Sequence, residues 1–108
     1  MASRRIVAAV MAFSMLLASC GSTEGLFGKD LFEQSCQTCH RADGSGGGSG
    51  GPGKAIGPGS DAVFLSDDQI AGVIRAGPGV MPSFKRLTDE QVASLVEYVR
   101  QLQGADGG

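Results

Sequence analysis

Apolar positions in this chain follow two patterns. From Ile6 to Leu17 they form a nearly continuous run. Further on they recur at helical spacing, first as Phe27, Leu31 and Phe32, then as Ile70, Val73 and Ile74, and finally as Val92, Leu95, Val96, Val99 and Leu102. Gly25 to Cys36 reads as an amphipathic helix, with Gly28 one turn before Phe32, where a second helix could approach closely. Ser66-Asp67-Asp68-Gln69 is a capping box. It opens a second helix that stops at Gly77-Pro78. Thr88-Asp89-Glu90-Gln91 is another capping box, opening a third helix that Tyr98 flanks and Gly104 ends. Ser60 to Leu65 reads as a short helical turn. Period-two alternation is persuasive nowhere, so the expected class is all-α. The apolar stripes are read as core and carry no chemistry.

The first run differs in its flanks. Arg4 and Arg5 precede it, and small residues follow. A charged start and a short apolar stretch make an export signal, and the stretch is too short to span a bilayer comfortably. It stops at Leu17-Ala18-Ser19-Cys20, which resembles the lipobox of bacterial lipoproteins. That resemblance implies cleavage before Cys20 and a diacylglyceryl thioether on its sulfur. An ordinary signal peptide would instead leave Cys20 as a lone exported thiol. The expected division is a signal peptide over 1–19, a tether over 20–24, one domain over 25–104 and a tail over 105–108. Losing Arg4 and Arg5 from nine basic residues leaves seven against eleven acidic ones. That balance argues against nucleic acid as a partner. So small a domain cannot build a generous core alone, and poor folding without a cofactor is expected.

Cys36-Gln37-Thr38-Cys39-His40 is the candidate chemistry. Cys-x-x-Cys-His is the attachment signature of c-type haem. Two thiols add to the porphyrin vinyl groups, and the imidazole becomes an iron ligand. On a helix the three positions share a face. A zinc site wants about four ligands, and beyond these three the chain offers only Cys20. A redox dithiol of the thioredoxin kind wants a strand–helix alternation, which is missing here. His40 is the only histidine, so the first axial ligand is His40. Met1, Met11 and Met15 leave with the signal, and Met81 remains, in the loop Gly77-Pro78-Gly79-Val80-Met81-Pro82. A Gly/Pro loop can present a thioether to the far haem face, so Met81 is the expected second ligand. A lysine there, or a vacant position, are the alternatives. The imidazole needs an acceptor for its Nδ1–H, and the Pro58 carbonyl is the candidate. Glycines crowd residues 44–59, and the stretch over 44–53 reads as a flexible, linker-like loop. It is no phosphate loop, because no Gly-Lys-Ser/Thr closes it.

Together Leu31-Phe32, Cys36 to His40, Gly57-Pro58, Met81-Pro82-Ser83-Phe84, Leu87 to Gln91 and Tyr98 make the chain resemble a small class I bacterial cytochrome c over residues 25–103. The resemblance implies three to four helices around one covalent haem, with the N- and C-terminal helices crossing so that Gly28 and Phe32 meet Leu95 and Tyr98. It implies Cys36 and Cys39 as thioether positions and His40 and Met81 on iron. The implied role is a one-electron carrier, not an enzyme, exchanging with a donor such as a quinol-oxidising complex and an acceptor such as a terminal oxidase. With Cys20 acylated, the expected location is the outer face of the cytoplasmic membrane, on the periplasmic side if there are two membranes, as a monomer. The alternatives are a dedicated subunit of one dehydrogenase or oxidase, or a haem-based sensor. Lys85 and Arg86 read as a solvated pair, with a basic docking patch as the other possibility. The glycine-rich loop and the lack of tryptophan depart from the smallest and from some other relatives.

Overall fold

The computed structural model describes residues 22–51 and 53–104. The expected signal peptide, Cys20, Pro52 and the tail lie outside the described residues. Four helices follow in order: α1 (Gly28–Ser35), α2 (Gln37–His40), α3 (Asp67–Ala76) and α4 (Asp89–Leu102), with a 3-10 turn over Asp61–Phe64. No strand occurs among the described residues. The described fold is all-α, as the sequence pattern predicts.

Both expected capping boxes form. Ser66 Oγ accepts from Gln69 N–H while Gln69 Oε1 accepts from Ser66 N–H. Thr88 and Gln91 do the same for α4. Acidic residues fill the first turns of α3 and α4, with Arg75 and Arg100 in the last turns, as helix dipoles favour. Helix α1 starts later than Gly25 and has no side-chain cap of its own. Instead the Gly28 N–H donates to Ser94 Oγ on α4 at 2.9 Å. Gly28 therefore does not serve close helix approach. A Cβ there would meet nothing within 4 Å, and the glycine is used for its φ of +50°.

The core lies where α1 packs on α4. Leu31, Phe32, Val92 and Leu95 are essentially sealed from water, and Ile70, Ile74, Leu87, Val96 and Val99 complete the set. Each such large apolar side chain contributes about 1.5–3 kcal/mol. The Phe32 and Tyr98 rings stack with centroids 5.2 Å apart and planes at 59°, a tilted geometry that aromatic pairs favour. The expected meeting of Phe32 with Tyr98 is therefore observed, and Leu95 belongs to the same buried cluster.

Among the described residues Gln91 is the one buried polar residue, and it is fully used. Besides capping α4, its Nε2 donates to the Thr23 carbonyl at 2.8 Å and the Leu26 carbonyl at 3.1 Å. Gln34 Nε2 donates to the Ser22 carbonyl at 2.9 Å. Residues expected to be tether, Ser22 to Glu24, are thus part of the folded domain. At the other end Arg100 binds Asp67 and the Leu65 carbonyl, and Gln103 Nε2 reaches the Ile56 carbonyl. These bonds hold the long connection over 56–65 against α4.

Candidate haem site

Between the helices lies an apolar slot. Phe32, Leu95 and Val99 form its floor from the α1–α4 core; Ile70, Val73 and Ile74 of α3 form a wall. Cys36, His40 and Met81 all line the same slot. The sequence places Met81 41 residues beyond His40; the fold makes them lining residues of one cavity. Leu65, Ala62 and Ile56 close the remaining side. No lysine lines it, which leaves Met81 as the lining residue suited to a second axial position.

The motif is not one unbroken helix. Cys36 has φ −121° and interrupts α1 from α2, and its carbonyl accepts from Cys39 N–H at 3.2 Å and His40 N–H at 3.0 Å. The turn still delivers Cys36 and His40 to one cavity. Burial pushes the Cys36 thiol up to about 11, and the neighbouring Cys39 adds to the effect. The thiolate is the nucleophilic form, so the folded chain holds Cys36 in its less reactive state.

The glycine-rich stretch is a clamp rather than a linker. The N–H groups of Gly46, Gly48 and Gly50 donate, each at 2.9 Å, to the carbonyls of His40, Cys39 and Thr38 in turn. These are the last carbonyls of α2, which the helix itself leaves without partners. A Cβ on Gly48 would overlap the Thr38 carbonyl oxygen, and one on Gly53 would lie 2.5 Å from that of Cys39. Side chains are excluded because backbone lies on backbone. Arg41 sits at the junction with φ +66° and donates from Nε and Nη2 to the Gly47 carbonyl at 3.2 and 3.0 Å.

The clamp also settles the imidazole. His40 Nδ1 lies 2.7 Å from the Lys54 carbonyl. A carbonyl can only accept, so Nδ1 carries the proton and Nε2 is left to bind a metal. The expected acceptor, Pro58, is not the one used. The loop folds back on α2 and brings Lys54 to the ring first. Pro58 is exposed, in a turn closed by Ser60 N–H and Oγ on the Gly57 carbonyl. The Lys54 role was invisible in the sequence because a backbone carbonyl has no residue signature.

The Met81 side is held otherwise. Gly77 ends α3 at φ +60°, and a Cβ there would lie 2.5 Å from the backbone of Pro82 and Ser83. Ser83 Oγ donates to the Arg75 carbonyl at 2.8 Å, and Phe84 N–H to that of Ile74 at 3.1 Å. The loop therefore folds back onto the end of α3, and Met81 is half-buried at the slot.

These residues fit a haem: an apolar slot lined by the Cys36 thiol, an imidazole with Nε2 available and a thioether, with the Cys39 thiol at the attachment spacing but not among the lining residues. Among the described residues no three His, Cys, Asp or Glu side chains converge, so the zinc alternative has no ligand set there. A shallow depression beside Gln37, Thr38, Arg41 and Ser49 is open and has no such lining. Fold and site define a c-type cytochrome, an electron-transfer protein. Residues 25–99 match the family described as cytochrome c oxidase, cbb3-type, subunit III, and the chain belongs to that family of cytochrome c domains, which carry haem c covalently. No solved structure matches the chain.

Proposed function

We propose that the protein is a monohaem electron carrier with His40 and Met81 as axial ligands, held at the membrane by lipid on Cys20. The observation that carries the ligand reading is that both side chains line one apolar slot together with Cys36. The haem supplies one-electron ferric/ferrous chemistry. Cys36 and Cys39 hold it covalently, and the Lys54 carbonyl orients His40. Imidazole and thioether ligation by His40 and Met81 would raise the potential and would leave small ligands no ready access to iron. A redox-titrated absorption spectrum of membrane-extracted protein tests this. One haem per chain is expected, with a sulfur–iron charge-transfer band in the oxidised form. Fast binding of carbon monoxide by the ferrous protein would favour a sensor instead.

The lipobox-like Leu17-Ala18-Ser19-Cys20 supports an anchor on the outer face of the cytoplasmic membrane. No described helix is long and apolar enough to cross a membrane. Donor and acceptor are then membrane redox complexes, such as a quinol-oxidising complex and a terminal oxidase. A dedicated subunit is the second reading, favoured by the family's description as an oxidase subunit. Co-purification in fixed stoichiometry would support it, and free exchange between complexes would exclude it.

A further inference from the structure

From Ser22 onward the chain is committed to the folded domain. The Ser22 carbonyl accepts from Gln34, the Ser22 hydroxyl accepts from Glu24 N–H at 3.1 Å, and the Thr23 carbonyl accepts from buried Gln91. Leu26 N–H closes the turn onto the Thr23 carbonyl at 3.1 Å. Only Gly21 separates Cys20 from this bonded stretch. Two Cα–Cα steps span at most about 7–8 Å. A headgroup layer is about 5–8 Å deep on each side of the hydrocarbon. A lipid on Cys20 would therefore leave Ser22 at or within the headgroups, with no leash on which the domain could swing.

Phe27 follows Ser22 by five residues and is 51% exposed. It is the residue before α1, and its ring takes no part in the buried core. Exposed apolar side chains scattered over a surface need no explanation. This one directly follows the Thr23–Leu26 turn near the start of the described chain, and an aromatic ring suits the membrane interface.

We propose that the domain is seated directly on the lipid surface, with Phe27 as its second contact beside the acylated Cys20. This rests on the lipoprotein reading given above. The partner is the lipid headgroup layer, and the haem domain keeps one fixed end toward the membrane. Encounters with redox complexes then depend on diffusion in the membrane plane, because a leash of this length offers no sweep. Gln91 becomes a positioning residue for the whole domain.

The test uses holoprotein on phosphatidylethanolamine–phosphatidylglycerol vesicles and a soluble Cys20→Ser holoprotein. Mass spectrometry of the mature N-terminus comes first: an unmodified Cys20 overturns the anchor and the seating together. With the lipid confirmed, amide hydrogen exchange over residues 24–30 should be slower on vesicles than in solution. A flexible insert of about eight Gly/Ser residues after Gly21, adding about 15 Å of reach, should abolish that protection while the lipid remains. Phe27→Ser should weaken it. Equal exchange in the lipidated and soluble forms would overturn the seating and leave the anchor standing. So would protection that survives the insert.

Discussion

The two sides of the haem slot are built by different means. On the His40 side, three glycine N–H groups bind three successive carbonyls of the attachment helix, and a fourth backbone group, the Lys54 carbonyl, takes the imidazole. On the Met81 side, a loop between two self-capped helices is folded back by a glycine turn, one serine hydroxyl and one amide. The first side has no room for side chains at Gly48 or Gly53. The second has few bonds and several exposed residues, among them Pro78, Gly79 and Val80. Main-chain contact makes the histidine geometry rigid but intolerant of change. The methionine geometry depends on a smaller number of contacts, of which only the Gly77 turn is equally closed to a side chain and the Ser83 hydroxyl bond is replaceable.

The sharpest way to break this contrast is Gly48→Ala. The new methyl would overlap the Thr38 carbonyl, and we expect a loss of about 2–4 kcal/mol with poor haem incorporation. Holoprotein yield and the urea midpoint would show it, and wild-type values would refute the clamp. Next is Met81→Ala. Removing a half-buried side chain should cost about 2 kcal/mol, but haem should stay attached through Cys36 and Cys39. The charge-transfer band should vanish, the potential should fall, and ferrous protein should bind carbon monoxide. A variant that keeps the band would remove Met81 from the iron.

A pH experiment asks whether the slot forms before haem does. The thiolate is the charged form, and burial disfavours it, so the folded Cys36 value rises from 9.0 to about 11. The stability this reflects is complete below pH 9.0 and is lost as pH climbs toward 11. In haem-free protein, alkylation of Cys36 should therefore keep accelerating toward pH 11 if the slot is formed. An inflection near 9.0 would mean an unfolded apo chain, as the small core suggests. With Cys36 in a thioether, as proposed, holoprotein would have no such thiol to titrate.

Ser83→Ala removes one hydroxyl bond to the Arg75 carbonyl, worth about 1 kcal/mol. The global unfolding midpoint should move little, while the charge-transfer band should be lost at lower temperature than in wild type. Equal shifts of both would mean that Ser83 is merely structural. The smallest effect is expected for Arg41→Gly. It relieves a left-handed φ, worth about 1 kcal/mol, but loses the guanidinium bonds to Gly47. The net change in the urea midpoint should be close to zero.

Much was legible in the sequence because the signals are local. Both capping boxes lie within four residues of chain, and the helices they open begin as those residues dictate. Cys36, Cys39 and His40 carry the haem-attachment spacing, and Met81 is read as a ligand because the other methionines lie in the expected signal and because its Gly/Pro loop can turn a thioether inward. The core stripes of α3 and α4 follow from period, except that Val73, expected in the α3 stripe, is exposed. The glycine run was misread because composition alone cannot tell a flexible glycine from one pressed against backbone. Pro58 was misassigned for a related reason: the acceptor is chosen by how a loop folds, not by residue type.

The sequence by itself therefore determined the chemistry and the helices, since spacing and caps act over one or two turns. Tertiary structure decided which groups meet. It brought Met81 to the slot lined by His40, put the Lys54 carbonyl on the imidazole, and bolted Thr23 to Gln91 across 68 residues of chain. Those contacts are backbone-mediated or long in sequence, and neither leaves a mark in a one-dimensional pattern.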